Sequence, residues 1–267
     1  MLTNVDIQGS RERPVFTNRT ATVALRRVAC YAARRMKILL SLFALALPFS
    51  AFAADNELTA EEKAAGWTLL FDGKDASANF RGYKKDKLPD GWVVQDGALA
   101  LKKGGGDIIT KEQYESFELS VDWKISEGGN SGIMFTVQET KGPSYETGPE
   151  AQVQDNVKGH DPQKAGWMYA LYPAKVDTTK PTGEWNRFVL KCQKTPAGTF
   201  KCEHTMNGTK YVEYEIGSDD WKAKVAKSKF GKMEGFAKSD KGHICLQDHG
   251  NEVAFKNIKI RVLEASK

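Results

Sequence analysis

The chain has 267 residues, with 39 lysines and arginines against 34 acidic residues and a formal net charge of +5. The excess of positive charge lies at one end, because residues 1–53 hold eight basic and two acidic side chains, which leaves 31 basic and 32 acidic in 54–267. A nucleic-acid partner requires a clustered positive face. The near-neutral body of the chain therefore gives no support for nucleic-acid binding, and we expect no such partner.

Residues 1–53 are predicted to be a leader that is removed from the folded domain. Within this leader, Met36 and Lys37 provide a positively charged start, and the apolar run I-L-L-S-L-F-A-L-A-L-P-F follows. Ala51 to Ala53 then form a small-residue cleavage site. These are the parts of a secretory signal peptide, and the run is shorter than the ~20 apolar residues that span a bilayer. We expect translation to start at Met36, cleavage after Ala53, and a periplasmic or secreted protein without a membrane anchor.

Residues 54–267 show the pattern of a single all-β domain. Short apolar or alternating runs are separated by turn residues, and Asp96-Gly97 between W-V-V-Q and A-L-A-L is a two-residue hairpin signal. Helical periodicity is limited to 59–65 and 219–230. Many short strands without alternating helices predict a two-sheet antiparallel sandwich or jelly roll.

The run F-E-L-S-V-D-W-K-I at 117–125 alternates strictly between apolar and polar residues. A period of two places successive side chains on opposite faces of a strand. We therefore expect Lys124 on the polar face and Trp123 on the face that belongs to the core. The other members of the apolar face are Phe117, Leu119, Val121 and Ile125.

Two cysteines are placed for a disulfide across a predicted hairpin. Cys192 and Cys202 flank a turn at Pro196 to Gly198, and both lie five residues from the centre of that turn. They would therefore face each other, and an exported protein meets the oxidising conditions in which such a bridge forms. Two reduced cysteines in the core are the alternative. Cys245 is left over and is expected to be a buried free thiol.

Two further strands each direct polar side chains to one face. In E-A-Q-V-Q the polar residues alternate with Ala151 and Val153, and in H-I-C-L-Q-D-H they alternate with Ile244 and Leu246. A polar face of this kind suits a sugar, which needs many donors and acceptors on a rigid base. An ordinary solvated outer face is the alternative. The polar sets are Glu150, Gln152 and Gln154 on one strand and His243, Cys245, Gln247 and His249 on the other.

Two long irregular segments, 138–149 and 156–184, interrupt the strands. Long loops on a rigid sheet are common positions for binding and catalysis. Trp167 and Tyr169 lie in the second segment, where an aromatic ring suits stacking on a sugar. We therefore include both residues among the expected substrate contacts.

The sequence contains no motif for several other types of functional site. Gly104 to Gly106 lack the Lys-Ser/Thr pair of a phosphate loop and indicate a turn instead. Neither H-E-x-x-H nor paired C-x-x-C is present, so there is no strong zinc signature. A mixed metal site built from distant strands stays open, with ligands drawn from Glu150, Asp155, His160 and His249.

Six ordered blocks of the sequence resemble the 3-keto-disaccharide hydrolase family, which is also described as 3-keto-glucoside 1,2-lyase and 3-keto-2-hydroxyglucal hydratase. The resemblance extends from Gly66 to Leu263. It implies a concanavalin A-like jelly roll, which agrees with the strand pattern. The blocks are G-W-T-L-L-F-D-G-K-D, D-W-K-I-S-E-G-G-N-S-G-I-M-F, G-P-E-A-Q-V-Q-D-N, P-T-G-E-W-N, H-I-C-L-Q-D-H-G and F-K-N-I-K-I.

The substrate of this family explains the chemistry that the resemblance implies. Oxidation of a glucoside at C3 makes the hydrogen on C2 acidic, because that hydrogen then lies next to a ketone. A positioned carboxylate removes it, the enolate expels the oxygen on C1, and water adds to the resulting 2-hydroxy-3-ketoglucal. Such a substrate must come from an oxidation, so the resemblance also implies functional coupling to a sugar 3-dehydrogenase.

The resemblance also implies roles for the polar positions of the cleft. Glu150 is the expected general base at C2, and His249 is the expected acid for the leaving oxygen. Lys124 or a bound divalent cation is expected to stabilise the enolate, and no other cofactor is implied. The residues expected to hold the substrate are Asn130, Gln152, Asp155, Trp167, Tyr169 and Gln247.

Two other functions stay open at this point. A two-carboxylate glycosidase on this fold would place acids at alternate positions of one strand, but Gln152 and Gln154 follow Glu150, and an amide transfers no catalytic proton. A lectin-like module would bind sugar without forming a product, since one fold hosts many functions. Such a module would tolerate the replacement of Glu150 by Gln.

Overall fold

Residues 54–264, which the computed structural model describes, form two antiparallel β-sheets with few helices. The larger sheet contains eight strands: β1 (Trp67–Leu69), β3 (Trp92–Gln95), β4 (Ala98–Leu101), β6 (Phe117–Ile125), β9 (Asn186–Lys194), β10 (Phe200–Met206), β11 (Thr209–Ile216) and β13 (Val253–Val262). The smaller sheet contains five: β2 (Phe80–Gly82), β5 (Ile108–Thr110), β7 (Asn130–Val137), β8 (Glu150–Gln154) and β12 (His243–Leu246). The predicted all-β, two-sheet sandwich is confirmed.

The strand order brings distant parts of the chain together in both sheets. The larger sheet has the order β11-β10-β9-β6-β13-β4-β3, and β1 also pairs with β13. The smaller sheet has the order β2-β5-β12-β7-β8, so β8 lies at one edge. The pairings between these strands are antiparallel.

The core lies between the two sheets and follows from the alternation along the strands. Trp123 of β6 is only 1% exposed, as the alternation predicts. Ile133 and Phe135 of β7 and Ala151 and Val153 of β8 enter the same cluster of buried residues. The residues that alternate with them therefore face away from the core, on the outer face of the smaller sheet.

The predicted disulfide across the hairpin is confirmed. Cys192 of β9 and Cys202 of β10 are cross-strand partners, with their Cα atoms 4.1 Å apart, and their sulfur atoms are bonded. Cys245 is free and buried, also as predicted. The bridge links the two strands on their core-facing side, because both cysteines belong to the buried cluster.

The helical segments are short and lie outside the sheets: α1 (Ala60–Ala64), α2 (Asp219–Lys227), a first 3-10 helix (Ser144–Glu146) and a second 3-10 helix (Lys229–Lys232). Helix α1 begins at Thr59, whose side chain and that of Glu62 form a reciprocal capping box. The helix predicted over 219–230 ends at Lys227, because the chain there tightens into the second 3-10 helix.

Aromatic packing fixes the position of the second 3-10 helix. The ring of Phe230 stacks on that of Phe236 with centroids 3.9 Å apart, and Phe236 in turn stacks on Trp221 of α2 at 6.1 Å. Both phenylalanines are nearly fully buried. Lys229, the neighbour of Phe230, is therefore held at a defined place on the surface.

The predicted leader, residues 1–53, lies outside the described residues, so its cleavage after Ala53 and the start at Met36 stay predictions. The assignment of 54–267 to a single domain stays a prediction as well. Within residues 54–264, no helix is both long and apolar enough to cross a membrane.

Candidate active site

A polar cleft of about 450 Å³ lies on the outer face of the smaller sheet. Its floor comes from strands of this sheet and the turns beside them, and its walls come from loops and the two 3-10 helices. The floor residues are Asp107, Asn130, Glu150, Gln152, Gln247, Asp248 and His249, and the wall residues are Pro143, Tyr145, Asp161, Tyr169 and Lys229.

The polar face of β8 is buried, although β8 is an edge strand. A loop pairs with the free edge of this strand through backbone hydrogen bonds. Gly166 N–H donates to the Gln152 carbonyl (2.8 Å), and Gln152 N–H donates to the Trp167 carbonyl (3.1 Å). The Tyr169 N–H likewise donates to the Glu150 carbonyl (2.9 Å). The alternative of an ordinary solvated outer face is therefore wrong for β8, because its five residues are all buried.

Glu150 is the most perturbed acid of the cleft. Its side chain is buried, and burial raises the pKa from 4.5 to about 8, with repulsion from Asp107 and Asp161 adding to the rise and Lys229 opposing it. Among residues 54–264, no donor forms a hydrogen bond with its carboxyl oxygens. A carboxyl group with these properties is suited to proton transfer near neutral pH.

A glycine makes room for the Glu150 carboxyl. Gly132 of β7 is the cross-strand partner of Gln152, and a Cβ atom built at this glycine would lie 2.3 Å from Glu150 Oε1. A side chain at this position would thus overlap the carboxyl. Because Gly132 has no side chain, the Glu150 carboxyl can extend across the sheet toward the Gly132–Gln152 pair.

Three amide side chains of the cleft have polar atoms without a partner. Asn130 Oδ1, Gln152 Nε2 and Gln247 Oε1 are buried and make no hydrogen bond in the described part of the chain. Buried polar groups in native proteins are nearly always paired. These atoms thus provide two acceptors and one donor for a ligand.

Two carboxylates tie the turn after β12 to the loop before β5. Asp107 Oδ1 accepts from Asp248 N–H (2.9 Å), and Asp248 Oδ2 accepts from Gly105 N–H (2.7 Å) and Gly106 N–H (2.8 Å). Burial raises the pKa of Asp107. Burial alone would raise the pKa of Asp248 too, but its backbone donors outweigh burial and lower it. The predicted turn at Gly104 to Gly106 therefore holds a carboxylate of the chain itself.

A lysine and a tyrosine form the wall opposite this turn. Lys229 Nζ lies 4.2 Å from the centroid of the Tyr169 ring, a distance at which a cation and an aromatic face attract each other. The Tyr169 hydroxyl donates to Asp161 Oδ2 (2.7 Å), and burial is the main cause of the raised pKa of this hydroxyl. The ring and the ammonium group are thus fixed beside Glu150.

Three residues expected at the site lie elsewhere. Lys124 is on the outer face of the larger sheet, with Nζ 4.8 Å from the Trp185 ring centroid, because it alternates with core residues of β6. The Asp155 carboxylate accepts from Gly128 and Val157 N–H (both 2.9 Å) and orders a loop beside a separate cavity.

Trp167 is the third expected residue that lies away from the cleft. Its side chain does not line the cleft, and its contribution is the backbone carbonyl that pairs with Gln152. The expectation of ring stacking placed it in the right loop, but the loop presents Tyr169 to the cleft instead.

The remaining expected residues are brought together in the cleft: Asn130, Glu150, Gln152, Tyr169, Gln247 and His249. The structure adds lining residues that sequence analysis did not select, namely Asp107, Tyr145, Asp161 and Lys229. Asp161 lies in the loop already marked as a site of binding. Lys229 comes from a surface helix without any motif, so its sequence offered no signal.

A divalent cation finds no ready set of ligands in this cleft. Among residues 54–264, no three histidine, cysteine or acidic side chains lie close enough together to hold a metal ion. Asp107 and Asp248 of the floor instead accept hydrogen bonds from backbone N–H groups. We therefore derive no step through a metal.

Comparison with known proteins agrees with the resemblance noted in the sequence. A family model described as a 3-keto-alpha-glucoside-1,2-lyase-like domain matches residues 66–261. A 3-keto-disaccharide hydrolase of Bacteroides thetaiotaomicron is 33% identical over 237 residues, which cover 75% of this chain and 80% of that protein.

Solved structures of similar proteins agree with this comparison. A protein of Parabacteroides distasonis that is provisionally described as a glycosyl hydrolase is 37% identical, with a TM-score of 0.72, and the match covers 79% of this chain and all of that one. A second protein of the same organism, with the same provisional description, is 29% identical with a TM-score of 0.56 and covers 74% of this chain and 99% of its own.

Proposed function

The chain belongs to the 3-keto-disaccharide hydrolase family and is a carbohydrate-active enzyme, and we propose that it cleaves 3-keto-glycosides by removing the proton on C2. Elimination of the C1 substituent follows, and water then adds to the 2-hydroxy-3-ketoglucal. The observation that supports this proposal best is Glu150, a buried acid without a hydrogen-bond partner among residues 54–264, whose pKa of about 8 lies close to neutrality.

The steps balance without a cofactor. The Glu150 carboxylate takes the C2 proton, and the electrons of that bond form an enolate whose charge lies on the C3 oxygen. The enolate then collapses back to the ketone, forms the C1–C2 double bond and breaks the bond from C1 to the leaving oxygen, which takes a proton from His249. Addition of water returns a hydroxyl to C1 and a proton to C2, so that the net reaction is hydrolysis.

Other cleft residues support these steps through charge and hydrogen bonding. Lys229 takes the place that the sequence had suggested for Lys124, since it is the described lysine that lines the cleft, and its charge stabilises the enolate. The unpartnered acceptors Asn130 Oδ1 and Gln247 Oε1 hold hydroxyls of the sugar. His249 lies exposed at the rim, where a leaving group would depart.

The test compares p-nitrophenyl 3-keto-glucoside with p-nitrophenyl glucoside, using residues 54–267 with and without EDTA. We expect p-nitrophenol from the keto substrate alone, slower release when its C2 carries deuterium, and no release by the Glu150→Gln variant. Release from the plain glucoside would refute C2 deprotonation. Loss of activity with EDTA would show that a metal takes part.

A two-carboxylate glycosidase is the second candidate, because the structure places a second carboxyl in the cleft. Asp107 lines the same cavity as Glu150, and burial raises the pKa of both. Gln152 and Gln154 exclude a second catalytic acid on β8 only, whereas Asp107 precedes β5. Cleavage of the plain glucoside together with loss of activity in Asp107→Asn would favour this candidate.

Export and the supply of substrate belong to the same proposal. The signal-peptide pattern around Met36 and Ala53 supports a periplasmic or secreted enzyme, and a 3-keto substrate requires a sugar 3-dehydrogenase acting before it. Cell fractionation with mass determination of the mature N-terminus tests the first point. A cytoplasmic protein with an uncleaved leader would contradict it.

A further inference from the structure

We propose that Gln152 Nε2 recognises the ketone oxygen on C3 of the substrate, and that this one donor makes the enzyme select oxidised over unoxidised sugars. The inference rests on the proposed function and assigns its specificity to a particular atom. Its basis is a buried donor that has no partner among residues 54–264, is fixed in direction and lines the same cleft as the general base.

The orientation of the Gln152 amide is fixed by its surroundings. The side chain is 1% exposed, and its Oε1 accepts from Val153 N–H at 3.2 Å, so a flipped amide would bring two N–H groups together. Its backbone carbonyl and N–H are both held by the loop at the edge of the sheet, through Gly166 and Trp167. The Nε2 group therefore has no alternative partner within the described chain, and an acceptor on a ligand satisfies it.

The donor and the base line the same part of one cleft. The Glu150 carboxyl extends over Gly132, because Oε1 would be 2.3 Å from a Cβ built there. Gly132 is the cross-strand partner of Gln152, and partners in an antiparallel pair have Cα atoms about 5 Å apart. Both side chains therefore start from the same part of the sheet, and we assign the base to the hydrogen on C2 and the donor to the oxygen on C3.

The unpartnered atoms of the cleft match an oxidised sugar. A ketone oxygen only accepts, which suits Gln152 Nε2, whereas hydroxyls donate to the acceptors Asn130 Oδ1 and Gln247 Oε1. An unoxidised sugar brings an additional hydrogen on O3, and Gln152 Oε1 already accepts from Val153 N–H. This hydrogen must therefore compete for the acceptors that the other hydroxyls use.

The same hydrogen bond assists the chemistry. Removal of the C2 proton transfers negative charge to the C3 oxygen, and a hydrogen bond to an ionised acceptor is stronger than one to a neutral acceptor. Gln152 thus stabilises the enolate directly, while Lys229 acts through its charge. Selection of the ketone and acceleration of the first step come from one interaction.

The test uses two ligands that cannot undergo elimination because C1 carries no leaving group: 1,5-anhydroglucitol and its 3-keto derivative. Calorimetry measures the affinity of each for the wild type, Gln152→Met and Gln247→Met. We expect the wild type to prefer the keto ligand about tenfold to a hundredfold. Gln152→Met should lose that preference, whereas Gln247→Met should weaken both ligands and keep their ratio.

Exchange of the C2 proton of the keto ligand in D₂O, followed by NMR, gives an independent measurement. We expect Gln152→Met to slow it at least tenfold, with Gln152→Ala as the substitute if the methionine variant does not fold. A wild type that does not exchange the C2 proton of the keto ligand would refute the proposed function itself, whereas one that exchanges it without preferring the keto ligand would refute the role of Gln152. A preference that survives in both Gln152 variants, or that disappears equally in Gln247→Met, would refute the role of Gln152 alone.

Discussion

Replacement of Glu150 by Gln should make the protein more stable at alkaline pH while abolishing its activity. The pKa of this carboxyl is 4.5 in its ordinary state and about 8 in the folded protein. Between these values the native protein holds a proton that the unfolded chain has released. The free energy of unfolding therefore falls as the pH rises, by ~1.4 kcal/mol per unit, and the Glu150→Gln substitution removes this loss because an amide does not titrate.

The magnitude follows from integrating this linkage between two accessible pH values. From pH 5 to pH 9 the contribution of Glu150 changes by about 4 kcal/mol, a large fraction of the stability of a typical domain. The stability difference between Glu150→Gln and the wild type should grow by this amount over that range. Other titrating groups affect both proteins nearly equally, so the difference between the two curves isolates Glu150.

Urea unfolding followed by tryptophan fluorescence at five values between pH 5 and pH 9 provides the measurement. Glu127→Gln is the matched control, because its carboxyl is 69% exposed and pairs with Lys158 at the surface, where an ion pair contributes little. Parallel stability curves for wild type and Glu150→Gln would show that the carboxyl is ionised in the native cleft. That result would remove the physical basis of its role as a tuned base.

The other expectations concern activity and the disulfide. Gly132→Ala should lower kcat on a 3-keto-glucoside at least tenfold, because its Cβ would displace the Glu150 carboxyl; unchanged kcat would contradict the placement of that carboxyl. Lys229→Met should lower kcat/KM about tenfold to a hundredfold, whereas Lys124→Met, on the other sheet, should leave it unaltered. Loss of activity in Lys124→Met alone would instead assign stabilisation of the enolate to Lys124. The kcat/KM of the wild type should rise with pH up to about 8, since the base must be ionised, and a flat profile over this range would oppose this. Cys192→Ser should lower the unfolding free energy by about 2–4 kcal/mol under oxidising conditions, and an equal midpoint in urea would show that the bridge contributes nothing.

Alternation along single strands made much of the fold and part of the site predictable. Trp123 in the core, the polar set of β8 and the pairing of Cys192 with Cys202 all follow from a period of two and a turn position. These features depend on neighbours in sequence. One strand or one hairpin contains all the information they require.

Contacts between distant segments could not be predicted in the same way. Alternation put Lys124 on a polar face, but did not say that this face belongs to the sheet opposite the cleft. Lys229 enters the cleft because aromatic packing fixes a surface helix, and Asp107 enters through a strand pairing of β5 with β12. Such placements depend on tertiary packing, which no single segment specifies.

The central position of β13 has a consequence for when the enzyme can fold. This strand, the last among the described residues, lies between β6 and β4 and also pairs with β1, so the larger sheet stays divided until Val253–Val262 is available. Contacts of such long sequence separation form late and slowly. A chain emerging from the ribosome would thus remain incompletely folded until Val253–Val262 has emerged, and removal of β13 should prevent folding of both sheets. Activity would appear only after the last strand has joined.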